Sequence, residues 1–339
     1  MAKLSSFERI VKAIQLQKPD QVPVIPILMN RAIRVINATT AEAVKDGKIM
    51  AEAKITANRK FGGDAVIAGT GLFVEAENVG AECEYFPTSI PIVLEPLLMD
   101  KELSKIPRFD PNRGRVRAVS DEIDILGQHF GNSLVIAVAV SGPMTLGVNL
   151  RGPEFYLDLE DDPQYAQRLL ALSTEIINDY VNYLMDHPVA AIAVLDPSCS
   201  SDVISPEMYR KLVLPFHQKI MDNIKAKGRV PLLHICTNTE PIWEDMAVSG
   251  ALGLNGDLPN IGLCKERVGD KICLMGNVSP HETMARGTAA EVYAEVLKSI
   301  NDAGKNGGFI LTPGCDLDWQ VPDENIQALV EAARNYRYD

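Results

Sequence analysis

The chain of 339 residues carries a formal net charge of −12 and no block of lysine or arginine, so the electrostatic footprint for nucleic acid or an anionic membrane surface is missing. Its 46% hydrophobic and 23% charged residues are ordinary globular composition with enough length for a sizeable core. No run of about 18 apolar residues occurs, so no membrane span is expected and the chain is placed in the cytoplasm.

The opening stretch MAKLSSFERIVKAIQLQKPD has the spacing of an amphipathic helix, with Ser5 and Glu8 at capping-box separation, and it lacks the apolar core and cleavage site of a leader. Short apolar or β-branched runs then recur at 22–28 (VPVIPIL), 64–70, 134–142, 191–198, 230–236, 251–257, 271–277 and 308–314. Between them lie helix-period segments at 40–60, 162–185, 205–227, 240–248, 285–303 and 323–336. Strands apolar on both faces that alternate with helices predict parallel βα units, and eight of them predict a (β/α)8 TIM barrel. A doubly wound open sheet is the rival, but no G-x-G-x-x-G follows the first strand. Residues 71–130 interrupt the alternation and are too long for a bare loop, so a hairpin and a helix are expected there as an elaborated rim on a single domain, 1–339.

In such a barrel the active site lies at the C-terminal ends of the strands. The polar residues at those exits are Asn30, Arg31, Glu75, Glu77, Ser141, Asp196, His234, Cys236, Asn255, Asp257, Asn277 and Cys315. In LLHICTNTEP, residues 232–241, His234 and Cys236 stand two apart and share a face of an extended chain. Cys315 leaves the last strand at the same end. One imidazole and two thiolates make a Zn²⁺ set with a fourth position open, the pattern of a catalytic site. The competing reading makes His234 a hydrogen-bonded core residue and Cys315 a small packing residue. Glu75 and Glu77 either approach the metal and substrate or form a solvated pair. Asp196 either orients a ligand or substrate or caps the turn DPSCSSD. The remaining cysteines, Cys83, Cys199, Cys264 and Cys273, read as small hydrophobes, and His129, His187, His217 and His281 as surface or capping residues.

The stretches LLHICTNT, GPMTLGVNLRG, DPSCSSDVISPEMYRKLVLPFHQKI, LMGNVSPHETM and GGFILTPGCDLDWQVPDENIQALVEAAR resemble the uroporphyrinogen decarboxylase superfamily, in its branch of methylcobalamin:coenzyme M methyltransferases. The resemblance implies zinc on His234, Cys236 and Cys315, and methyl transfer between a methylated corrinoid, carried on a small corrinoid protein, and a thiol such as coenzyme M. It further implies catalytic carboxylates at Glu77 and Asp196, and cofactor contacts at Asn30, Glu75 and Asn277. Residues 71–130 would form the docking rim, since the chain has no D-x-H-x-x-G cobalamin motif of its own. Thr237 departs from the branch, standing where HICGNT has glycine, which bears on the turn after the ligands. Within the fold, the alternative is a corrinoid methyltransferase acting on a small methyl donor such as a methyl ether or methylamine. A uroporphyrinogen decarboxylase is a second alternative and fits less well, because LMNRAIRVINATT replaces the MRQAGRY-like stretch and a zinc triad has no task there. A zinc-binding scaffold or a non-catalytic partner of the corrinoid protein is the third.

Overall fold

The computed structural model describes residues 4–338, and its centre is a curled parallel sheet. In chain order the strands are β1 (Ala65–Ala68), an outlying antiparallel pair β2 (Cys83–Glu84) and β3 (Ile92–Val93), then β4 (Val135–Ser141), β5 (Ala191–Leu195), β6 (Val230–His234), β7 (Gly253–Asn255), β8 (Cys273–Val278) and β9 (Phe309–Pro313). Seven of these pair as β1-β4-β5-β6-β7-β8-β9, each parallel to its neighbour. The expected first strand, 22–28, forms no ladder and makes a single bridge, Val24 to Leu311. Pro23 and Pro26 have no N–H to donate, which limits pairing there. The backbone still reaches both edges of the sheet. Ile25 N donates to Leu311 O (2.9 Å) and Leu311 N to Pro23 O (2.8 Å), while Asp64 N, just before β1, donates to Val24 O (2.8 Å).

Several helical segments differ in detail from the periodic pattern. The 40–60 stretch divides into Thr40–Ala43 and Gly47–Phe61, because the Asp46 carboxylate accepts from Lys48 N and Ile49 N and starts a new helix. The 205–227 stretch contains a π-helical turn, Tyr209–Val213, ahead of the helix Leu214–Ala226. Helices Pro143–Arg151, Glu154–Asp161 and Ile261–Val268 were not anticipated from periodicity. Between β1 and β4 lie the short helix Val74–Asn78, the β2–β3 pair and the helix Val116–Phe130. No helix among the described residues is long and apolar enough to cross a membrane.

The two faces of the strands are buried unequally. Val66, Ala68, Ile192, Val194 and Leu233 are almost fully covered. Their neighbours Ile67, Ala193, Leu195 and Leu232 are only half-buried. This second set lines a cavity of about 680 Å³ enclosed by the curl of the sheet. The core therefore sits mainly between sheet and helices.

The helix Ser6–Ile14 lies beneath the sheet, started by a complete Ser5–Glu8 capping box. It is fastened through the fully buried Asp64. That carboxylate accepts from Ser6 Oγ (2.7 Å), Arg9 Nη1 (2.9 Å), Arg334 Nη2 (3.0 Å) and Val24 N (2.9 Å). Both chain ends and the 22–25 segment thus converge on one anion.

Two predictions follow from these contacts. Asp64→Ala leaves the buried Arg9 guanidinium with Asp20 and the Leu4 carbonyl and is expected to cost about 3 kcal/mol in urea unfolding; a loss below about 1 kcal/mol would show the contacts to be dispensable. Thr237, just past β6, has φ +61, a left-handed conformation that a β-branched side chain adopts at a cost of roughly 1–2 kcal/mol. The turn after the ligands thus keeps a shape suited to glycine. Thr237→Gly is expected to raise stability by about 0.5 kcal/mol, strain relief exceeding the extra chain entropy, and clear destabilisation would refute the strain.

Candidate metal centre

Parallel register puts His234, the last residue of β6, level with Asn255 on β7 and Leu195 on β5. The imidazole is 8% exposed, and its orientation is set by a chain of hydrogen bonds. Asn255 Nδ2 donates to Met275 O (2.9 Å) and Thr312 Oγ1 (3.0 Å), so the amide oxygen faces the ring. Nδ1 of His234 donates to that oxygen at 2.6 Å. The tautomer is thereby fixed with the Nε2 lone pair free, and Nε2 lies 3.8 Å from Cys315 Sγ.

Cys236 joins them, and the ligand atoms of His234, Cys236 and Cys315 all lie within 4.8 Å of one another. The Cys236 thiol donates to Cys315, and that bond, against burial and with help from His234, pulls the Cys315 thiol down to about 4. The same bond, reinforced by burial, raises Cys236 far above the usual thiol range. Burial pulls the His234 imidazolium down, but its bond to Cys315 and the Asn255 oxygen more than offset this and raise it. Two sulfurs thus share one proton at a point where a thiolate-preferring divalent cation would replace it. The donor set fits zinc. Asp257 stands close by: its Oδ2 accepts from Thr237 N at 3.4 Å, and a Cβ on Gly314 would fall 2.3 Å from its Oδ1. Glycine beside Cys315 is what lets these two loops meet.

Asp316, next to Cys315, accepts from Met29 N (2.8 Å) and Asn30 N (3.3 Å), and burial pushes it up to about 7. The buried Lys54 ammonium donates to Leu28 O (2.8 Å) and Met29 O (2.7 Å), bracing the same segment. Sequence pattern did not single out Asp316 or Lys54. The adjacency of Asp316 to a candidate ligand was the available signal.

The other residues expected at the site have hydrogen bonds of their own. Glu75 accepts from Ser141 N (2.7 Å) and Ser141 Oγ (2.8 Å); burial raises its pKa and these bonds oppose the rise. Glu77 accepts from Arg115 Nε (2.6 Å) and from the Tyr85 hydroxyl. Asn30 accepts from Thr40 Oγ1 (2.6 Å) and donates to Thr88 O (2.8 Å), while Asn277 pairs with both backbone groups of Leu258. None of these four lines the cavity that His234 and Cys315 share.

Asp196 is fully buried and holds the start of the helix Pro143–Arg151. It accepts from Thr145 N (2.6 Å) and Met144 N (3.2 Å), and a Cβ on Gly142 would come within 2.3 Å of it. His217 completes the shell, with Nε2 2.8 Å from Asp196 Oδ2 and Nδ1 3.1 Å from the Tyr209 hydroxyl. This corrects the expectation of a surface or capping histidine: the residue is 0% exposed, because the helix Leu214–Ala226 turns it toward β5. His187 pairs with Asp124 (2.8 Å), whereas His129 and His281 are exposed.

Over its whole length the chain is 27% identical to the methylcobamide:CoM methyltransferase MtbA of Methanosarcina acetivorans, covering 100% of both chains. A uroporphyrinogen decarboxylase of Alkalilimnicola ehrlichii is 24% identical, over 96% of this chain and 93% of its own. Among solved structures, a methyltransferase from Methanosarcina mazei superposes with a TM-score of 0.90 at 27% identity, covering 98% of each chain. The sequence model of the uroporphyrinogen decarboxylase (URO-D) family matches residues 5–336, nearly the entire chain. With its curled parallel sheet and its histidine and cysteines gathered at the strand ends, the chain belongs to the uroporphyrinogen decarboxylase family.

Proposed function

We propose that this protein moves a methyl group between a methylated corrinoid, carried on a small corrinoid protein, and a thiol, the chemical class to which the CoM of its relatives belongs. It is an enzyme of the methyltransferase type. The reading is carried by the convergence of His234, Cys236 and Cys315 on one point of the cavity wall, in a chain similar from end to end to methylcobamide:CoM methyltransferases. The 22–28 segment serves as the eighth stave of a closed (β/α)8 barrel, and the reducing cytoplasm keeps the cysteines as thiols.

Zinc, which His234, Cys236 and Cys315 would hold, would supply a thiolate at neutral pH by lowering the pKa of a bound thiol. The residues around it do the positioning. Asn255 fixes the imidazole so that Nε2 alone faces the cysteines, and two thiolates beside a neutral imidazole keep an incoming sulfur electron-rich. Asp196 and His217 act at one remove, fixing the helix after β4 against the exit of β5. Glu77 and Arg115 tie the rim segment to its scaffold. On that rim Ile92, Leu94 and Met99 are 43%, 52% and 62% exposed, an apolar surface on which a corrinoid protein would dock.

Decarboxylation of a polycarboxylate draws less support. Arg31 donates to Val321 O (2.9 Å) and pairs with Asp323, and Arg34 donates to Trp319 O (2.8 Å), so both cations face the C-terminal segment.

The direct test is metal content and demethylation of methylcobalamin by a thiol panel, for wild type beside Cys236→Ser and Cys315→Ser. About one zinc per wild-type chain, lost in both variants together with turnover, is expected; zinc-loaded protein inert with every thiol would refute the function. Asn255→Ala should weaken zinc about 10- to 100-fold while leaving the fold intact, since only the ring's tautomer and aim are released. Zinc binding should also expel about one proton near pH 7, the one that Cys236 and Cys315 share, since the Cys236 thiol is raised in the metal-free chain. Affinity then falls as pH drops, and calorimetry in buffers of different ionisation enthalpy counts the protons. A count of zero would contradict the shared-proton arrangement.

A further inference from the structure

The lumen enclosed by the sheet is hollow where barrels of this class are usually filled by layers of bulky branched side chains. Ala137 stands level with Ala191 and Ala139 with Ala193, so adjacent strands β4 and β5 present a strip of methyl groups along the axis. Ala65 continues it on β1. Longer side chains share the wall, Leu232 on the adjacent β6 level with Ala193, and Met29 and Met275 further round, and they leave a cavity of about 680 Å³. It is in the size range of small-molecule sites. Its floor is the apolar face of the N-terminal helix, Phe7, Ile10 and Ile14, and its roof carries His234 and Cys315.

Polarity is confined to the two ends. His234, Asn255, Thr312 and Asp316 line the roof, and Arg229, the only lysine or arginine in the lining among the described residues, precedes β6 at the opposite end. Five residue steps along the strand take Arg229 to His234, roughly 16 Å. Water in the middle of such a space finds few partners, and apolar cavities of this kind take up apolar ligands. A short anionic thiol seated at the roof would have no lining cation beside its charge.

We propose that the lumen is a binding site for the carbon chain of the thiol substrate: an unbranched aliphatic thiol, its sulfur at His234 and Cys315 and its chain running down the axis past the alanine strip. This rests on the reading of the metal centre as the seat of a thiol, and it names the class of that thiol. The alanines set specificity by their smallness, since any larger side chain at 139 or 193 would occupy the path.

The test is calorimetric binding to the full-length chain, in zinc-loaded and metal-free forms, of two homologous series: n-alkanols from ethanol to decanol, and n-alkanethiols from ethanethiol to decanethiol. Affinity for the alkanols should rise about fourfold per methylene in both forms, as burial of a methylene requires. The thiols should add a further increment, independent of chain length, only when zinc is present. Ala193→Leu and Ala139→Leu should weaken octanethiol about tenfold or more while changing ethanethiol far less; Ala193→Val serves if the larger change prevents folding. Affinity indifferent to chain length, equal loss for short and long ligands in the variants, or 2-mercaptoethanesulfonate binding zinc-loaded protein as tightly as octanethiol would each overturn the proposal. Alkanol binding is independent of turnover. Chain-length dependence without demethylation of methylcobalamin would therefore sink the methyl-transfer reading and leave the lumen site standing.

Discussion

A parallel sheet has two exposed edges, and this one disposes of both against the same short segment. Residues 23–25 accept from and donate to Leu311 on β9 and accept from Asp64 ahead of β1. Asp64 then draws in Arg9, Arg334 and Ser6, so that the start and the end of the chain are tied to the same seam. The strand exits face one another because the curl is held there, and side chains from β6 and from the loop after β9 can meet only in a sheet so bent. An open, flatter sheet with the same strand order would hold His234 and Cys315 three strands apart, with β7 and β8 between them.

Register does the remaining work of assembly. A parallel ladder places residues of equal offset side by side, so Asn255 falls next to His234 with no local sequence relation between them. This is why the candidate ligands were legible in the sequence and their support was not. Histidine and cysteine two apart at the end of an apolar run announce themselves by type and spacing, as does a cysteine at the exit of the last strand. An asparagine that orients a ring, or a histidine on a later helix that closes around Asp196, depends on pairings 21 residues apart or more. The strands themselves were legible because β-branched and apolar runs are short and bounded by turns. The segment 22–28 read as a strand for the same reason, although its prolines leave too few donors for a ladder. The helix Pro143–Arg151 went unread because GPMTLGVNLRG carries the glycines of a loop, and only the Asp196 cap at its start explains why it is helical.

The site gathers charge that the rest of the molecule would be expected to repel. The chain has a net charge of −12, and beside the two cysteines stand Asp257 and Asp316. Burial favours the neutral form of Asp316, and Lys54 sets a positive charge behind the same segment. The result is a roof whose anions are held in check until a cation arrives, which suits a centre built to bind a divalent metal through sulfur.

The inverted burial of the strands separates two demands that most cores must meet with the same atoms. Cohesion comes chiefly from the outward faces, where Val66, Ile192, Val194 and Leu233 are sealed beneath helices, while the inward faces form a smaller buried cluster around Ala65, Val135, Met275 and Ile310. Substitutions inside the lumen can therefore accumulate without unravelling the fold, and substrate preference is free to drift among descendants of one scaffold. A family that hosts both methyl transfer and decarboxylation is the outcome expected of such an architecture.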